Sequence, residues 1–350
     1  MSTEHVSPDP VSPDDDDGPQ LLEVPVSSSG VRVDAYVAQL LPDFSRSRIT
    51  ALVKKGHILV DDDQVKPAKK LVGGEVIAVD IPPASPSDTE AQDLPLDVLY
   101  EDDHLLVLNK AAGMVVHPGA GHRDGTVLNA LLHHVPALQM AQEARPGIVH
   151  RLDKDTSGVM VCAKDDKTHR LLSAAFAARD VDKRYRAFTL GVPKEEAFER
   201  ITGHKRDRVH RMRFSTRCDP PSEDDGVKSD NRLAHSTFKR VQFALGFCEL
   251  EVQLHTGRTH QIRAHLADIG CPIVQDELYG GLVDKRGKGF APSQAKRAGG
   301  LLKRQALHAE ALAFVHPHTH EDMRFAAPLP DDLLRLQEAL RQTVLDDSGA

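Results

Sequence analysis

The sequence predicts an α+β protein: a mainly antiparallel, mixed sheet flanked by helices and loops, preceded by a small unit of two helices and a strand hairpin. Two observations support this fold class. After residue 96, helical and strand-like segments alternate without the regular βαβ rhythm of a parallel sheet. Before residue 81, two short segments with helical periodicity are followed by two β-rich segments. With 350 residues, the chain is long enough for about two domains.

Composition divides the chain into four parts. Residues 1–20 form an acidic, proline-rich tail that we expect to be disordered, and residues 21–81 form the small unit. A proline-containing linker covers residues 82–95, and residues 96–350 form the large domain. The sequence has no apolar run of about 18 residues and no C-x-x-C pair. We therefore expect a cytoplasmic protein without a membrane span.

Within the small unit, periodicity predicts a helix over residues 34–41 and a second helix that begins after Ser45 and ends before Gly56. Residues 58–60 and 76–79 are predicted strands. The second helix carries four cations largely away from its apolar stripe, namely Arg46, Arg48, Lys54 and Lys55. A basic helix of this kind can lie on a phosphate backbone, although surface helices are also basic for solubility alone.

In the large domain, two strands are predicted over residues 98–109, on either side of a polar turn. The following predicted elements are a helix (126–134), a buried strand (159–163), a helix (166–178) and a strand (183–190). Cys248, Leu250, Val252 and Leu254 alternate with polar neighbours, which predicts a half-buried strand. A helix over residues 260–269 is closed by Gly270.

The net charge of −8 is unevenly distributed. Six negative charges lie in residues 1–20, so the remainder is close to neutral. Residues 200–217 and 285–304 each hold seven Lys or Arg, with a single acid in the first cluster and none in the second. Such clusters can line a phosphate-binding surface, and they can equally be solvated loops.

The densest candidate for chemistry is the run G-I-V-H-R-L-D-K-D-T-S-G at residues 147–158. Apolar residues precede a polar loop, and Gly158 leads into an apolar strand, an arrangement that commonly mounts catalytic groups. From periodicity alone, Asp153 is more simply a loop carboxylate that pairs with Arg151 or caps a turn.

Five sequence blocks resemble the RluA family of pseudouridine synthases, and they occur in the family's order. They are K-A-A-G-M-V-V-H-P (110–118), H-R-L-D-K-D-T-S-G (150–158), K-R-Y (183–185), G-R-T-H-Q-I-R (257–263), and Q-A-L-H-A (305–309) followed by H-P (316–317). Residues 32–80 resemble an S4 domain, a small RNA-binding module, most clearly at F-S-R-S-R (44–48). Two positions depart from the family pattern: Ala111 stands where proline is usual, and Gln275 where glycine is common.

The resemblance implies an enzyme that isomerises uridine to pseudouridine in RNA. This reaction breaks the bond from ribose C1′ to uracil N1 and rejoins the base through C5, with no net redox change and no hydrolysis. We therefore expect no metal and no small-molecule cofactor. The motifs are most similar to the RluD type, which implies large-subunit (23S) ribosomal RNA, in the stem-loop of its helix 69, as the substrate. We expect a monomer whose partner is RNA.

The resemblance also implies roles for three residues. Asp153 is the nucleophile, which attacks either the sugar or the base of an extruded uridine. Arg263 is its partner, since an adjacent guanidinium favours the ionised carboxylate, and Tyr185 stacks on the extruded base. Further RNA contacts are expected from the small unit's helix and from residues near the motifs, namely His117, His150, Arg151, Arg258 and His260. Taken singly, Arg263 would be an ordinary surface arginine and Tyr185 a half-buried strand residue.

Two alternatives stay open at this point. One is a synthase that modifies another ribosomal or transfer RNA site. The other is a non-catalytic RNA-binding protein in which the S4-like unit acts alone, although the intact Asp153, Tyr185 and Arg263 argue against it. The sequence His316-x-His318-x-His320 could suggest a metal site, but Pro317 interrupts it, and only His316-Pro317 matches the family pattern.

Overall fold

The computed structural model describes residues 20–41, 44, 46–81, 89–119, 121–140, 146–222, 231–244, 246–286 and 294–348. The described residues form two compact units, residues 20–81 and those from residue 89 onwards. The predicted disordered tail falls mostly on residues 1–19, outside the described residues, whereas Gln20 is the first residue of a strand. Within the described part of the chain, no helix combines the length and apolarity needed to cross a membrane.

The N-terminal unit contains two helices, α1 (Val33–Leu40) and α2 (Arg46–Lys55), and a four-stranded antiparallel sheet. Its strands are β1 (Gln20–Glu23), β2 (Ile58–Val60), β3 (Asp63–Gln64) and β4 (Val76–Val79), in the order β1-β4-β2-β3. Both helices and the β2–β4 pair lie where periodicity predicts them. The sequence did not predict β1 and β3, because these short edge strands carry too few residues to show a pattern.

The apolar faces of α1 and α2 close a single core with the sheet. Val37, Ile49 and Ile77 are fully buried there, at 0% exposure. Asp34 is also buried, and it accepts hydrogen bonds from Arg32 (2.7 Å) and Arg46 (3.1 Å). These two cations lower the pKa of the Asp34 carboxyl against the opposing effect of its burial.

The second unit contains ten strands and six α-helices in its described residues. The strands are β5 (Val98–Glu101), β6 (Leu105–Lys110), β7 (Ser157–Ala163), β8 (Asp182–Leu190), β9 (Ala197–Arg206), β10 (Phe214–Ser215), β11 (Arg232–Ala244), β12 (Phe247–Leu254), β13 (Leu307–Val315) and β14 (Asp322–Ala326). The helices are α3 (Val127–His134), α4 (Asp166–Ala178), α5 (Gln261–Asp268), α6 (Val283–Arg286), α7 (Gln294–Leu301) and α8 (Asp331–Ser348).

These ten strands form one sheet in the order β10-β9-β11-β12-β8-β13-β7-β6-β5, with β14 paired to β13. The β13–β7 pair is parallel and the other described pairs are antiparallel. Core side chains from the sheet pack with α3, α5 and α8. The structure therefore confirms the predicted α+β class and its mainly antiparallel, mixed sheet.

Strand β12 is more deeply buried than the alternating pattern predicted, so the prediction of a half-buried strand is wrong. Its polar position Glu249 is 0% exposed, because Arg186, Gln242 and Gln337 donate hydrogen bonds to the carboxylate. Gln337 belongs to α8, so this helix covers part of the sheet face that the alternation assigned to solvent. A polar residue with three internal donors can be buried, which hydrophobic periodicity alone does not reveal.

Gly158 brings two strands into unusually close contact. It lies in β7 with a φ of +118°, opposite Ala309 in the parallel β13 pair. A Cβ at this position would meet the Ala309 carbonyl oxygen far inside van der Waals contact. Glycine is therefore required where the loop of residues 150–156 enters the sheet.

We expect Gly158→Ala to destabilise the protein by about 3 kcal/mol or more, because backbone strain and the clash with β13 add. Urea unfolding of the purified variant measures this loss. Gly300→Ala is the matched control, since Gly300 lies in α7 and an added Cβ would meet no atom within 4 Å. We expect the control to stay within about 1 kcal/mol of the wild type; equal stabilities of the two variants would contradict this account.

Candidate active site

The loop that carries Asp153 is fixed by hydrogen bonds at its C-terminal side. The Thr156 N–H donates to the Asp153 carbonyl oxygen (3.1 Å), and Gln305 Nε2 donates to Thr156 Oγ1 (3.2 Å). Ser157 Oγ lies 2.9 Å from Nδ1 of the buried His308, whose Nε2 contacts the Ala327 carbonyl oxygen (3.1 Å). These contacts anchor the loop to the start of β13 and to the chain after β14.

Lys110, the last residue of β6, fixes the other side of the loop. Its ammonium donates to three carbonyl oxygens, those of Ala111 (2.7 Å), Met114 (2.8 Å) and Lys154 (3.0 Å). Burial lowers the pKa of Lys110 to about 8, although Asp155 and Asp153 favour its charged form. The lysine of the first motif therefore stabilises the neighbouring loop from inside the protein.

Asp153 and Arg263 form an ion pair in the folded protein. Arg263 Nη1 donates to Asp153 Oδ2 over 2.9 Å, and the two side chains are 7% and 17% exposed, respectively. The other carboxylate oxygen, Asp153 Oδ1, lies 4.0 Å from His260 Nε2 and accepts no hydrogen bond from the described residues. The carboxylate is thus held through one oxygen while the second is available for a reacting atom.

Asp276 holds Arg263 from the opposite side. Arg263 donates to Asp276 through Nε (2.7 Å) and Nη2 (3.0 Å), and the Asp276 side chain is 0% exposed. The two carboxylates raise the pKa of Arg263, against the effect of its burial. The guanidinium is therefore fixed in one plane between two acids, and Asp276 is a functional candidate that sequence reasoning missed.

Tyr279 and His260 complete the surroundings of Arg263. The Arg263 guanidinium carbon lies 5.2 Å from the centroid of the Tyr279 ring, within cation–π range. Tyr279 Oη accepts a hydrogen bond from the Phe214 N–H (2.8 Å) and lies 3.3 Å from His260 Nδ1. His260 is the N-cap of α5 with a φ of +57°, and its burial lowers its pKa. Tyr279 therefore connects the site to β10.

Tyr185 lies on β8, between β12 and β13, and is 8% exposed. Burial, and secondarily the negative charge of Asp153, raises the pKa of Tyr185, so its hydroxyl stays protonated. The residue lines the same cleft as Asp153 and Arg263. The structure thus places all three predicted catalytic side chains at one site.

The cleft has a volume of about 360 Å³, within the roughly 300–1,000 Å³ range typical of ligand pockets. Asp153, Tyr185 and Arg263 line it together with the aliphatic side chains of Leu152, Ile262 and Leu307. Asp153 is the one acidic residue among the described residues that line it. A planar, neutral ring can fit beside these aliphatic side chains, within reach of the carboxylate.

His150 has an internal role in addition to lining the cleft. Its Nε2 accepts a hydrogen bond from the Val161 N–H (3.1 Å), and its ring stacks on Phe176 with a centroid distance of 4.5 Å. Burial, and to a lesser extent the charge of Lys183, lowers the pKa of His150 to about 3. The imidazole is therefore neutral and carries no charge for a phosphate, and its predicted RNA contact stays a prediction.

The other predicted RNA contacts lie in three places. Arg151, Arg258 and His260 line the cleft, and Arg258 also donates through Nε to the Leu233 carbonyl oxygen (3.1 Å). His117 is half-buried in the segment between β6 and α3 and does not line the cleft. The four basic residues of α2 belong to the N-terminal unit, where Lys54 and Lys55 are exposed.

Part of the basic cluster at residues 200–217 forms a hairpin between β9 and β10. Asp207 closes its turn by accepting hydrogen bonds from the N–H groups of Val209 and His210 (both 2.8 Å). Arg206 lies 5.0 Å from the centroid of the Phe214 ring, which in turn packs edge-on against His260. The hairpin therefore adjoins the site. The second basic cluster lies partly outside the described residues.

Gln275 adopts a left-handed backbone with a φ of +57°, which explains why glycine suits this position. Its side chain offsets the strain. The amide Nε2 donates to the Leu302 carbonyl oxygen (3.0 Å), and Oε1 accepts from the Val283 N–H (3.2 Å). Gln275 thus links three segments beside Asp276, and the Arg263–Asp276 pair is intact.

His316 is the first histidine of the pattern that could suggest a metal site, and in the structure it closes a turn. Its Nε2 contacts Asp102 Oδ2 (3.0 Å), and its Nδ1 accepts from the N–H groups of His318 (3.2 Å) and Thr319 (3.0 Å). Both ring nitrogens are therefore engaged in holding the β13–β14 connection against the β5–β6 turn.

Comparison with known proteins places this site in a family. The profile described as RNA pseudouridylate synthase matches residues 104–268, and the S4 domain profile matches residues 31–77. Ribosomal large subunit pseudouridine synthase D of Xanthomonas campestris is 44% identical over 321 residues, 91% of this chain and 92% of the relative. The protein of the same name from Pseudomonas aeruginosa is 39% identical and covers 91% of this chain and 95% of the relative.

A solved structure agrees with these sequence relatives. Human RNA pseudouridylate synthase domain containing 4 aligns with a TM-score of 0.54 and 26% identity, covering 70% of this chain and 93% of that chain. The fold and the cleft therefore define a pseudouridine synthase, an enzyme that isomerises uridine in RNA. The chain belongs to the RNA pseudouridylate synthase family and carries an S4 domain near its N-terminus, which confirms the resemblance found in the sequence.

Proposed function

We propose that this enzyme isomerises uridines in large-subunit (23S) ribosomal RNA, in the stem-loop of helix 69, through covalent catalysis by Asp153. The ribosomal substrate is supported by relatives at 38–44% identity, whose names specify the ribosomal large subunit. The choice of helix 69 rests on the motif resemblance to the RluD type. Covalent catalysis is supported by one observation above all, the free Oδ1 of a carboxylate whose Oδ2 is held by Arg263.

The reaction requires the uridine to leave the base stack and enter the cleft. Asp153 Oδ1 attacks either ribose C1′ or the uracil ring as the bond from C1′ to N1 breaks, and the covalent adduct keeps the attacked fragment on Asp153 while the other fragment stays in the cleft. The base then turns so that C5 faces C1′. As the new carbon–carbon bond forms, C5 loses its proton, N1 gains one, and Asp153 is released. Atoms and electrons balance with no external oxidant or reductant.

Arg263 and Tyr185 support this sequence in different ways. The guanidinium, fixed by Asp276, holds and orients Asp153 through the hydrogen bond to Oδ2. The buried Tyr185 ring offers an aromatic face for the extruded base, and its protonated hydroxyl adds no negative charge beside the nucleophile. Arg151, exposed at the cleft, binds a phosphate or enters the space that the base vacates.

Pseudouridine mapping across all cellular RNA tests the substrate assignment. Cells that lack the enzyme are complemented with the wild type or with Asp153→Ala, and each modified site is quantified. We expect sites in helix 69 of 23S ribosomal RNA to be present with the wild type and absent with the variant. Loss of sites only in transfer RNA, or elsewhere in ribosomal RNA, would overturn the helix 69 assignment while preserving the enzyme class.

A further inference from the structure

The lining of the cleft carries more positive charge than the proposed isomerisation uses. Besides Arg263, which is committed to Asp153 and Asp276, the cleft is lined by Arg151, Arg179, Lys183 and Arg258. Arg151 and Arg258 are already expected to contact RNA, whereas Arg179 and Lys183 have no assigned role, and the last three of these cations come from different elements. Arg179 follows α4, Lys183 is in β8, and Arg258 precedes α5.

None of Arg179, Lys183 and Arg258 forms an ion pair with an acid among the described residues. Asp182, which precedes Lys183, favours the charged ammonium but accepts its hydrogen bond from Arg184 (3.0 Å). Lys183 is only 7% exposed, and its ammonium lies 5.7 Å from the centroid of the Phe176 ring. A buried ammonium without a carboxylate partner is costly, so its retention at a cleft wall indicates an anionic ligand.

Arg179 is the cation whose charge acts on both Lys183 and Arg258. It caps the C-terminus of α4 in a left-handed conformation (φ +69°), and its N–H donates to the Ala175 and Phe176 carbonyl oxygens. Burial lowers the pKa of Lys183 and of Arg258; Asp182 partly offsets this for Lys183, and the positive charge of Arg179 lowers both. All three cations line the same cleft, and the charge of Arg179 acts on both of the others. An arginine at a helix C-terminus is favourable by itself, but that does not account for Lys183 and Arg258.

We infer that Arg179, Lys183 and Arg258 form a phosphodiester-binding subsite on the cleft wall, which receives a backbone phosphate next to the extruded uridine. This inference rests on the proposed function, since it requires RNA in the cleft. A phosphate there relieves the repulsion among the cations and fixes the ribose relative to Asp153. Phosphate contacts of this kind position a nucleic acid and carry no sequence information.

The variant Arg179→Asn tests the subsite. Asparagine tolerates the left-handed backbone better than other uncharged polar residues, so the charge is removed with little effect on the α4 terminus. Arg335→Gln removes one charge from an exposed position on α8 that does not line the cleft, and it is the matched control. Arg179→Lys keeps the charge and serves as the rescue. Thermal melting checks that all three variants fold.

Binding to a helix 69 stem-loop is measured between 50 and 200 mM salt, conditions chosen because phosphate contacts make affinity salt-dependent. For Arg179→Asn we expect roughly tenfold weaker binding, since a charge-assisted hydrogen bond is lost. We also expect the slope of log Kd against log salt to fall by about 0.7–0.9, the value for one phosphate contact. KM should rise more than kcat falls. Arg179→Lys should recover most of the affinity, and Arg335→Gln should match the wild type.

A second measurement identifies the ligand as a phosphate. Methylphosphonate is placed in turn at the phosphates that flank the target uridine, which neutralises one charge at a time. At the position bound by the subsite, the losses from Arg179→Asn and from methylphosphonate should not add. Additive losses at every flanking position, or a salt slope equal to that of Arg335→Gln, would overturn the subsite. Absence of pseudouridine from the wild-type reaction would instead overturn the proposed function, so the two failures are distinguishable.

Discussion

Asp153→Asn is expected to reduce turnover by at least about 10⁴-fold, because removal of a covalent nucleophile abolishes the chemical step. Asparagine keeps the size and planarity of the side chain but cannot attack as an anion. Its oxygen can still accept the hydrogen bond from Arg263 Nη1 that Oδ2 accepts in the wild type (2.9 Å). The site should therefore stay folded, and RNA affinity should change by less than about threefold.

Two measurements separate these effects. Nucleoside analysis of a helix 69 stem-loop after single-turnover incubation reports pseudouridine, and filter binding at fixed salt reports the dissociation constant. Asp155→Asn is the matched control, since Asp155 lies in the same loop and the structure assigns it no contact with Arg263. Pseudouridine formed by Asp153→Asn at the wild-type rate would remove Asp153 from the chemistry.

Asp276→Asn is expected to reduce both the stability of the protein and its turnover, because it removes the group that holds Arg263. The substitution removes one carboxylate from a guanidinium that is 7% exposed, and loss of one partner from a buried ion pair typically costs about 3–5 kcal/mol. With Nε and Nη2 no longer held by an anion, Arg263 loses its fixed plane and Asp153 its orientation. We expect turnover to fall by about 10²–10³-fold, in the range for misplaced catalytic groups.

Chemical unfolding and single-turnover kinetics measure the two effects of Asp276→Asn. Glu251→Gln is the control, because Glu251 pairs with Arg184 (3.5 Å) between half-exposed side chains. Such a surface pair contributes about 0–1 kcal/mol, so the control should be nearly as stable as the wild type. Combining Asp276→Asn with Arg263→Met should cost little more activity than Arg263→Met alone. Fully additive losses would show that Asp276 does not act through Arg263.

The sequence singled out the residues that we propose to react, but it did not reveal all of the residues that hold them in place. Asp153, Tyr185 and Arg263 belong to motifs that can be recognised in one chain, and the structure brings them to a single cleft. Asp276 was missed because nothing local distinguishes it from the other acids after α5. Its significance comes from a long-range pairing with Arg263, formed only when the loop after α5 folds back. The departure at Gln275 pointed to this loop without revealing its role.

Lys110 and His150 show the opposite limitation. Both lie in recognised motifs, yet the structure gives them internal contacts, with loop carbonyl oxygens and with the β7 backbone, respectively. A motif identifies a residue as important without distinguishing a ligand contact from structural support. Only burial and hydrogen-bond geometry make that distinction, and neither can be read from sequence spacing.

The fold prediction was limited to strands that composition and local periodicity reveal. Apolar strands such as β7, which is buried at every position, were found from composition. Strands β9 and β11 were not predicted, since β9 carries Glu199, Arg200 and Lys205 among its exposed or partly exposed positions. These strands are specified by their pairing with each other and with β12, a non-local effect that periodicity does not capture. The basic cluster at residues 200–217 is therefore largely strand and hairpin, not an open loop.

The central claim is that Asp153 forms a covalent adduct with the uridine, and rapid-quench mass spectrometry tests it most directly. Wild-type enzyme is mixed with a helix 69 stem-loop, quenched in acid within the first turnover and digested with protease and nuclease. The account predicts a uridine-derived adduct on the peptide that contains Asp153, which rises and decays as pseudouridine accumulates and is absent from Asp153→Asn. An adduct on any other residue, or full turnover by Asp153→Asn, would contradict it.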